Sequence, residues 1–399
     1  MVCDQKKCTG CGLCLVKCPR KAIIMKEATD GFLYPSIDKS KCVNCNLCKK
    51  NCPILANDKN NNYDKPKFIY GWSKNKKTVQ SSSSGGIFPE LAKFFLENND
   101  LVVGCTQKNN TFYHILIDNI DNLKEILGSK YVQSDIVNIY LPIIDNLKKG
   151  RKILFCGCPC QVAAVKKSVP PELQANLYTI DLICHGVPSN SFFKKHISEM
   201  ELKYGEKVIY TDFRYNKKEW RKYFIKYKLE SGKEVIKLAI EDAFMACFLK
   251  ESIYREACYN CTFNKIPRIG DITLGDYLGI NKSKVTKENL INGISSCLVN
   301  NSKGNDLISF IEKNIILQED KIDNLIKTNH NINSATKYNT KRDKILRSAE
   351  KVSKLSKRYC QYHVLYKLSN HIFSIDQQNK IYNLIKKGRK QLWTEKKNY

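Results

Sequence analysis

Eight cysteines near the N-terminus fall in two runs, Cys8, Cys11, Cys14, Cys18 and Cys42, Cys45, Cys48, Cys52, each followed by a proline, Pro19 or Pro53. Both runs have the spacing C-x2-C-x2-C-x3-C-P, the ligand spacing for a pair of [4Fe–4S] clusters. Three thiolates so spaced can converge on three corners of one iron–sulfur cube, while the fourth points to the neighbouring cube. Cys8, Cys11 and Cys14 are therefore paired with Cys52, and Cys42, Cys45 and Cys48 with Cys18. Structural zinc usually takes two C-x2-C pairs separated by a longer insert, and a disulfide framework suits a small secreted domain. Neither matches these runs in a chain of 399 residues with 19 cysteines. The chemistry expected is single-electron transfer.

Five further segments concentrate Gly, Cys and polar residues. Ser81 to Gly86 precedes a helix start at Ile87-Phe88-Pro89, where exposed backbone N–H groups suit a pyrophosphate. Gly128-Ser129-Lys130-Tyr131-Val132-Gln133-Ser134 is the second. Phe155-Cys156-Gly157-Cys158-Pro159-Cys160-Gln161, the third, runs from a strand into a helix start, whose positive field favours a thiolate. The fourth is Asp181 to Ser189, with Cys184-His185-Gly186. The fifth joins Cys258 and Cys261 to Arg268-Ile269-Gly270-Asp271 and Gly275-Asp276-Tyr277. Neither a phosphate-binding G-x4-G-K-[ST] loop nor a G-x-G-x-x-G fingerprint is present, so a nucleotide triphosphatase and a nicotinamide site of that type are not supported.

The elements that must position these residues follow from hydrophobic pattern. Asp30-Gly31 between short apolar stretches predicts a β-hairpin. Asn57 to Pro66 reads as a linker. Leu101–Gly104, Lys152–Phe155 and Leu177–Ile183 read as buried strands, and Ile136 to Leu147 as a helix closed by Gly150. Ser189 is expected to cap a helix to about Tyr204. Tyr223–Tyr227 and Glu234–Leu238 predict an antiparallel hairpin. After about Asn331 the pattern is helical and basic, with an apolar face near Val364, Leu365, Leu368 and Ile372.

The five segments, in this order behind a two-cluster ferredoxin head, resemble the beta subunit of coenzyme F-420 hydrogenase/dehydrogenase over roughly residues 1–300. The resemblance implies an FAD enzyme with a third [4Fe–4S] cluster inside the α/β domain, ligated by Cys160, Cys184, Cys258 and Cys261. Cys156 and Cys158 stand where the family usually has Ser and Thr, which leaves the ligand from that loop open among Cys156, Cys158 and Cys160. Leu278 stands where the family tends to carry Trp. Flavin contacts implied are Ser84, Gly85, Gly86, Lys130, Tyr131, Gln133, Ser134, Gly275 and Asp276. Lys130 could stabilise an anionic flavin, and His185 could move a proton coupled to flavin reduction. Arg214, in a family-like segment with Trp220, could bind a substrate anion or pair with a core carboxylate.

The fold expected is α+β: a two-cluster ferredoxin-like module over residues 1–57, a mixed α/β flavin domain over 67–330 and a basic helical tail over 331–399. From Lys337 to Tyr399 there are 17 Lys+Arg against 4 Asp+Glu, within a chain of formal charge +28. No nucleic-acid fold signature accompanies this charge, so nucleic acid is not an expected partner; a solvated surface, an acidic redox partner or peripheral membrane contact are. The start lacks the apolar core of a secretory signal, and a cytoplasmic location is expected. The function expected is that of an oxidoreductase relaying electrons between ferredoxin-type clusters and FAD, with hydride transfer to or from a deazaflavin or another small substrate. The alternative is an electron-transfer subunit serving a partner enzyme, in surface-polysaccharide synthesis for example.

Overall fold

A computed structural model describes residues 2–56, 62–215, 224–281, 283 and 285–360. The first module is built on a hairpin of β1 (Ile23–Glu27) and β2 (Leu33–Ile37), paired antiparallel. Its turn holds Gly31 at φ +76°, a conformation open to glycine because no Cβ intrudes. The expected hairpin around Asp30-Gly31 is present. The two cysteine runs flank it.

The main sheet has eight strands: β3 (Lys67–Ser73), β4 (Leu101–Lys108), β5 (Thr111–Ile117), β6 (Ile153–Gly157), β7 (Leu177–Leu182), β11 (Ile272–Asp276), β12 (Ser295–Val299) and β13 (Ile315–Glu319). Their spatial order is β13-β3-β12-β11-β7-β6-β4-β5. The centre, β11-β7-β6-β4, is parallel, while β12, β13 and β5 pair antiparallel with their neighbours. Helices cover both faces: Ile87–Glu97 and Ser302–Ile311 on one, Tyr140–Lys148 and Pro159–Ser168 on the other. Burial on both sides explains why Ile153, Leu154 and Phe155 are consecutively apolar and fully buried. A smaller sheet of β8 (Val208–Tyr215), β9 (Phe224–Leu229) and β10 (Glu234–Leu238) forms the meander expected from the alternating pattern. Ser189 caps the helix Asn190–Tyr204, accepting a hydrogen bond from the Phe192 N–H. The helix expected from Ile136 begins at Tyr140, after a tighter turn over Val137–Ile139.

The cysteine module is packed into the α/β body. Leu13 is fully buried among Ile136, Ile139 and Tyr140, and Phe32 and Tyr34 join the core beneath β8–β10. Asp30 forms a buried ion pair with Arg342 at 2.8 Å. Residues 342–360, expected to begin a solvated tail, instead contribute Ile345, Leu346, Val352, Leu355 and Cys360 to that same core. Apolar residues spaced among the lysines drive this packing while the charges remain outside. The apolar face at Val364–Ile372 and Trp220 lie outside the described residues.

Candidate electron-transfer site

The first cysteine run is shaped by two tight left-handed positions, Gly10 (φ +71°) and Gly12 (φ +72°). Cys8, Cys11 and Cys14 line one cleft together with Cys52 from the end of the second run, the grouping expected from spacing. Cys3 lines it too, with its thiol in hydrogen-bonding contact with Cys8 and Cys52. Sequence reasoning missed Cys3, because it lies outside the repeated spacing. In the second run, Cys18 and Cys45 both act on the Cys48 thiol. Cys45 is exposed, and Cys42 and Cys48 are half-buried.

A third group of thiols forms at the carboxyl ends of the parallel strands. Cys158 precedes, and Cys160 lies in, the first turn of the helix Pro159–Ser168, Cys184 follows β7, and Cys258 and Cys261 come from a turn before β11. The Sγ atoms of Cys158 and Cys184 are 3.8 Å apart. Burial, and then Cys184 and Cys261, push the Cys258 thiol up to about 12. Burial likewise pushes Cys160 up, with Cys261, Cys184, Cys258 and Cys11 of the first run adding to it. Neutral buried thiols make poor nucleophiles, and five together suit metal ligation better than covalent catalysis. Cys156 separates from this group: Asp181, Cys105 and Lys130 are its charged or thiol neighbours. The open choice within the 156–160 loop thus narrows to Cys158 and Cys160, and the group has one thiol more than a cube requires.

These thiols form one end of a cavity of about 310 Å³. Its walls include Cys11, Ser84, Gly86, Lys130, Tyr131, Gln133, Ser134, His185, Gly275 and Asp276. The cavity lies where ligands collect in parallel α/β sheets, outside the carboxyl ends of the strands.

The candidate residues take different roles around it. Gly86 (φ +86°) caps the 11-residue helix Ile87–Glu97. A Cβ on Gly85 would stand 2.3 Å from the Gly71 carbonyl oxygen, so only glycine lets this loop approach β3. The Ser84 hydroxyl is buried without a hydrogen-bond partner. Such an orphan beside a helix N-terminus fits a phosphate oxygen. The Lys130 ammonium is buried and donates to the carbonyls of Leu127 (2.6 Å) and Glu125 (3.4 Å); burial lowers its pKa. It is the cation positioned to meet an anion in the cavity.

Other candidates are already engaged by protein. Gln133 donates to the Thr9 carbonyl and accepts from Arg255, tying the cysteine module to the α/β body. Ser134 accepts from Gln161, whose amide oxygen accepts the Cys158 N–H. Arg214 donates to Tyr131, to Asp276 (2.9 Å) and to the Ser83 carbonyl, so it draws three candidate segments together and pairs a carboxylate. Gly275 is required by packing: a Cβ there would stand 2.5 Å from Ile183 Cδ1.

His185 lines the cavity, and burial together with His330 lowers its pKa to about 4. It is therefore neutral near neutral pH. His114, missed in the sequence, also lines the cavity; its Nε2 donates to the Cys156 carbonyl at 3.1 Å and its Nδ1 is buried without a partner. A strand histidine outside any motif gives no signal in a single sequence.

Two cysteine runs with cube-ligand spacing, docked against a thiol-lined cavity in a mixed α/β body, define an iron–sulfur protein built for electron transfer. Residues 7–56 match the 4Fe-4S dicluster domain. Residues 150–324 match the C terminus of the coenzyme F420 hydrogenase/dehydrogenase beta subunit, and the chain belongs to that family. A chain from the F420-reducing [NiFe] hydrogenase complex of Methanosarcina barkeri is similar in structure, with TM-score 0.48 and 16% identity, covering 67% of this chain and 90% of that one. No curated protein matches. Among the described residues no helix is long and apolar enough to cross a membrane.

Proposed function

We propose that the chain is an iron–sulfur flavoprotein oxidoreductase whose electrons pass from the exposed cysteine run, through the buried run and the third thiol group, to FAD in the shared cavity. The observation that carries this reading is the single cavity: thiols line one end, a helix N-terminus and a buried lysine line the other, and Cys11 stands in its wall. When bound, FAD would supply the exchange between single electrons and a hydride.

The residues present fit such a group. The N–H groups at Gly86–Phe88 and the unpartnered Ser84 hydroxyl would hold phosphate oxygens. Lys130 would offset negative charge near the ring system. Its burial makes that interaction stronger than it would be in water. Among the thiols, Cys184, Cys258 and Cys261 with Cys160 would hold the third cluster, with Cys158 close enough to Cys184 to substitute or to donate to a cluster sulfur.

Outside the cavity, Cys45 is exposed and is flanked by exposed Val43 (58%), Leu47 (39%), Lys49 and Lys50. Apolar surface rimmed by lysines suits a transient acidic redox partner. The second substrate, a deazaflavin or another small hydride carrier, would reach the cavity at the Leu278 side of Asp276.

Anaerobic purification with iron, sulfide and flavin quantified tests the reading. About 12 Fe and one FAD per chain are expected, from three [4Fe–4S] clusters. Cys258→Ser should lower iron by about 4 per chain and spare the rest. Unchanged iron in that variant removes the third cluster, and a flavin-free chain removes the FAD reading.

A further inference from the structure

Arg255 is 2% exposed, and no carboxylate pairs with it among the described residues. A buried cation without an anion is costly, so a residue of this kind marks a place where negative charge is expected. Its three donor nitrogens are all used: Nε donates to Gln133 Oε1 at 2.9 Å, Nη1 to the Cys8 carbonyl at 3.1 Å, and Nη2 to the Leu33 carbonyl at 2.9 Å. The guanidinium also lies 4.8 Å from the Phe32 ring centroid and 4.6 Å from that of Tyr34. The loop of the buried run is cut to admit it. A Cβ on Gly10 would stand 2.5 Å from Nη2 and 2.8 Å from Cζ.

The main chain of the same residue turns toward the other thiol group. The Arg255 carbonyl accepts the Cys258 N–H at 2.9 Å. One residue therefore grips the backbone of a ligand from each of two groups, Cys8 through its side chain and Cys258 through its carbonyl. We propose that Arg255 is a positioning residue shared by the buried cluster of the dicluster module and the third cluster, the fixed positive charge that raises the reduction potential of both and holds them in register for electron transfer.

The physical cause is that a cluster gains negative charge on reduction. A nearby buried cation favours the reduced form, and little water intervenes to screen it. Both the Cys8 and the Cys258 thiols respond to the Arg255 charge. The outer run does not share this environment. The half of the proposal that concerns the third cluster rests on the function proposed above; the half that concerns Cys8 rests on the dicluster domain alone.

The test is anaerobic redox titration of the full chain, followed by electron paramagnetic resonance, for the parent, Arg255→Met and Arg255→Lys. In Arg255→Met the midpoints of the inner and third clusters should move to lower potential, and the outer cluster should keep its own. Arg255→Lys retains the charge without the fork of hydrogen bonds and should recover most of that shift. Unmoved midpoints in the methionine variant, or an equal shift in all clusters, would overturn the proposal. So would a lysine variant that behaves like methionine, since the charge would then not be the agent. Should the methionine variant fail to load iron, Gln133→Leu serves: it loosens one bond to the retained charge, so faster inter-cluster relaxation loss with unchanged midpoints is expected, and altered midpoints would count against the proposal. A parent chain with about 8 Fe removes only the third-cluster half, and a shift of the inner cluster alone is then expected.

Discussion

The two cysteine runs share one spacing and nearly one backbone, yet they are built from different residues. Gly10 and Gly12 of the first run occupy left-handed positions that Asn44 (φ +54°) and Asn46 (φ +58°) occupy in the second. Asparagine tolerates this conformation better than most residues that carry a Cβ. It serves where there is room, and the second run is exposed. In the first run there is none: a Cβ on Gly12 would stand 2.3 Å from Val137 Cγ2, and one on Gly10 would meet Arg255. Ligand spacing is thus common to both runs, while burial decides which residue can make the turn. The same difference separates their roles, since a cluster at the surface can meet a partner and one against the cavity can pass electrons inward.

The contrast can be tested most severely at the dock between module and body. Asp30→Asn would leave the buried Arg342 guanidinium short of its carboxylate and should cost about 3 kcal/mol or more, because an uncompensated buried charge remains. Anaerobic urea unfolding followed by circular dichroism reads this; a loss under about 1 kcal/mol would mean that the pair behaves as a surface ion pair and the module is not locked to the body.

A matched pair of substitutions at the turns comes next. Gly12→Ala should cost about 2 kcal/mol, combining a left-handed alanine with a clash against Val137. Asn44→Gly should change stability by about 0.5 kcal/mol or less, because conformational relief and added freedom of the unfolded chain oppose one another. The same unfolding measurement checks both, and equal effects would break the distinction between inner and outer runs.

The smallest effect is expected at the surface. Lys49→Glu with Lys50→Glu should slow reduction by an acidic ferredoxin-type donor by roughly tenfold at low salt and flatten its salt dependence, with the inner-cluster potential unchanged. Stopped-flow reduction rates at two ionic strengths provide the measurement. Rates indifferent to this charge reversal would place the electron entry elsewhere.

Much of the site was legible in the chain itself because cluster ligation and turn chemistry are local. The cysteine spacing, the Asp30-Gly31 hairpin, the Ser189 cap and the strand entering Pro159 each depend on residues within a few positions of one another. The mixed parallel sheet followed from apolar runs that both faces bury. Less visible were groups assembled across hundreds of residues. Arg214 joins Ser83, Tyr131 and Asp276 into one network, where sequence alone left a choice between substrate and core partner. Cys3 and His114 sit outside every motif and acquire meaning only from what surrounds them.

Residue order thus determined that this protein handles electrons on iron and sulfur, since thiolates a few positions apart can converge wherever the chain is placed. Tertiary structure decided which run is sheltered, which cysteine of the 156–160 loop turns away from the thiol group, and that a buried arginine stands between two ligand sets. Those outcomes depend on dielectric environment and on contacts such as Cys8 to Arg255, 247 positions apart, and local spacing carries no information about either.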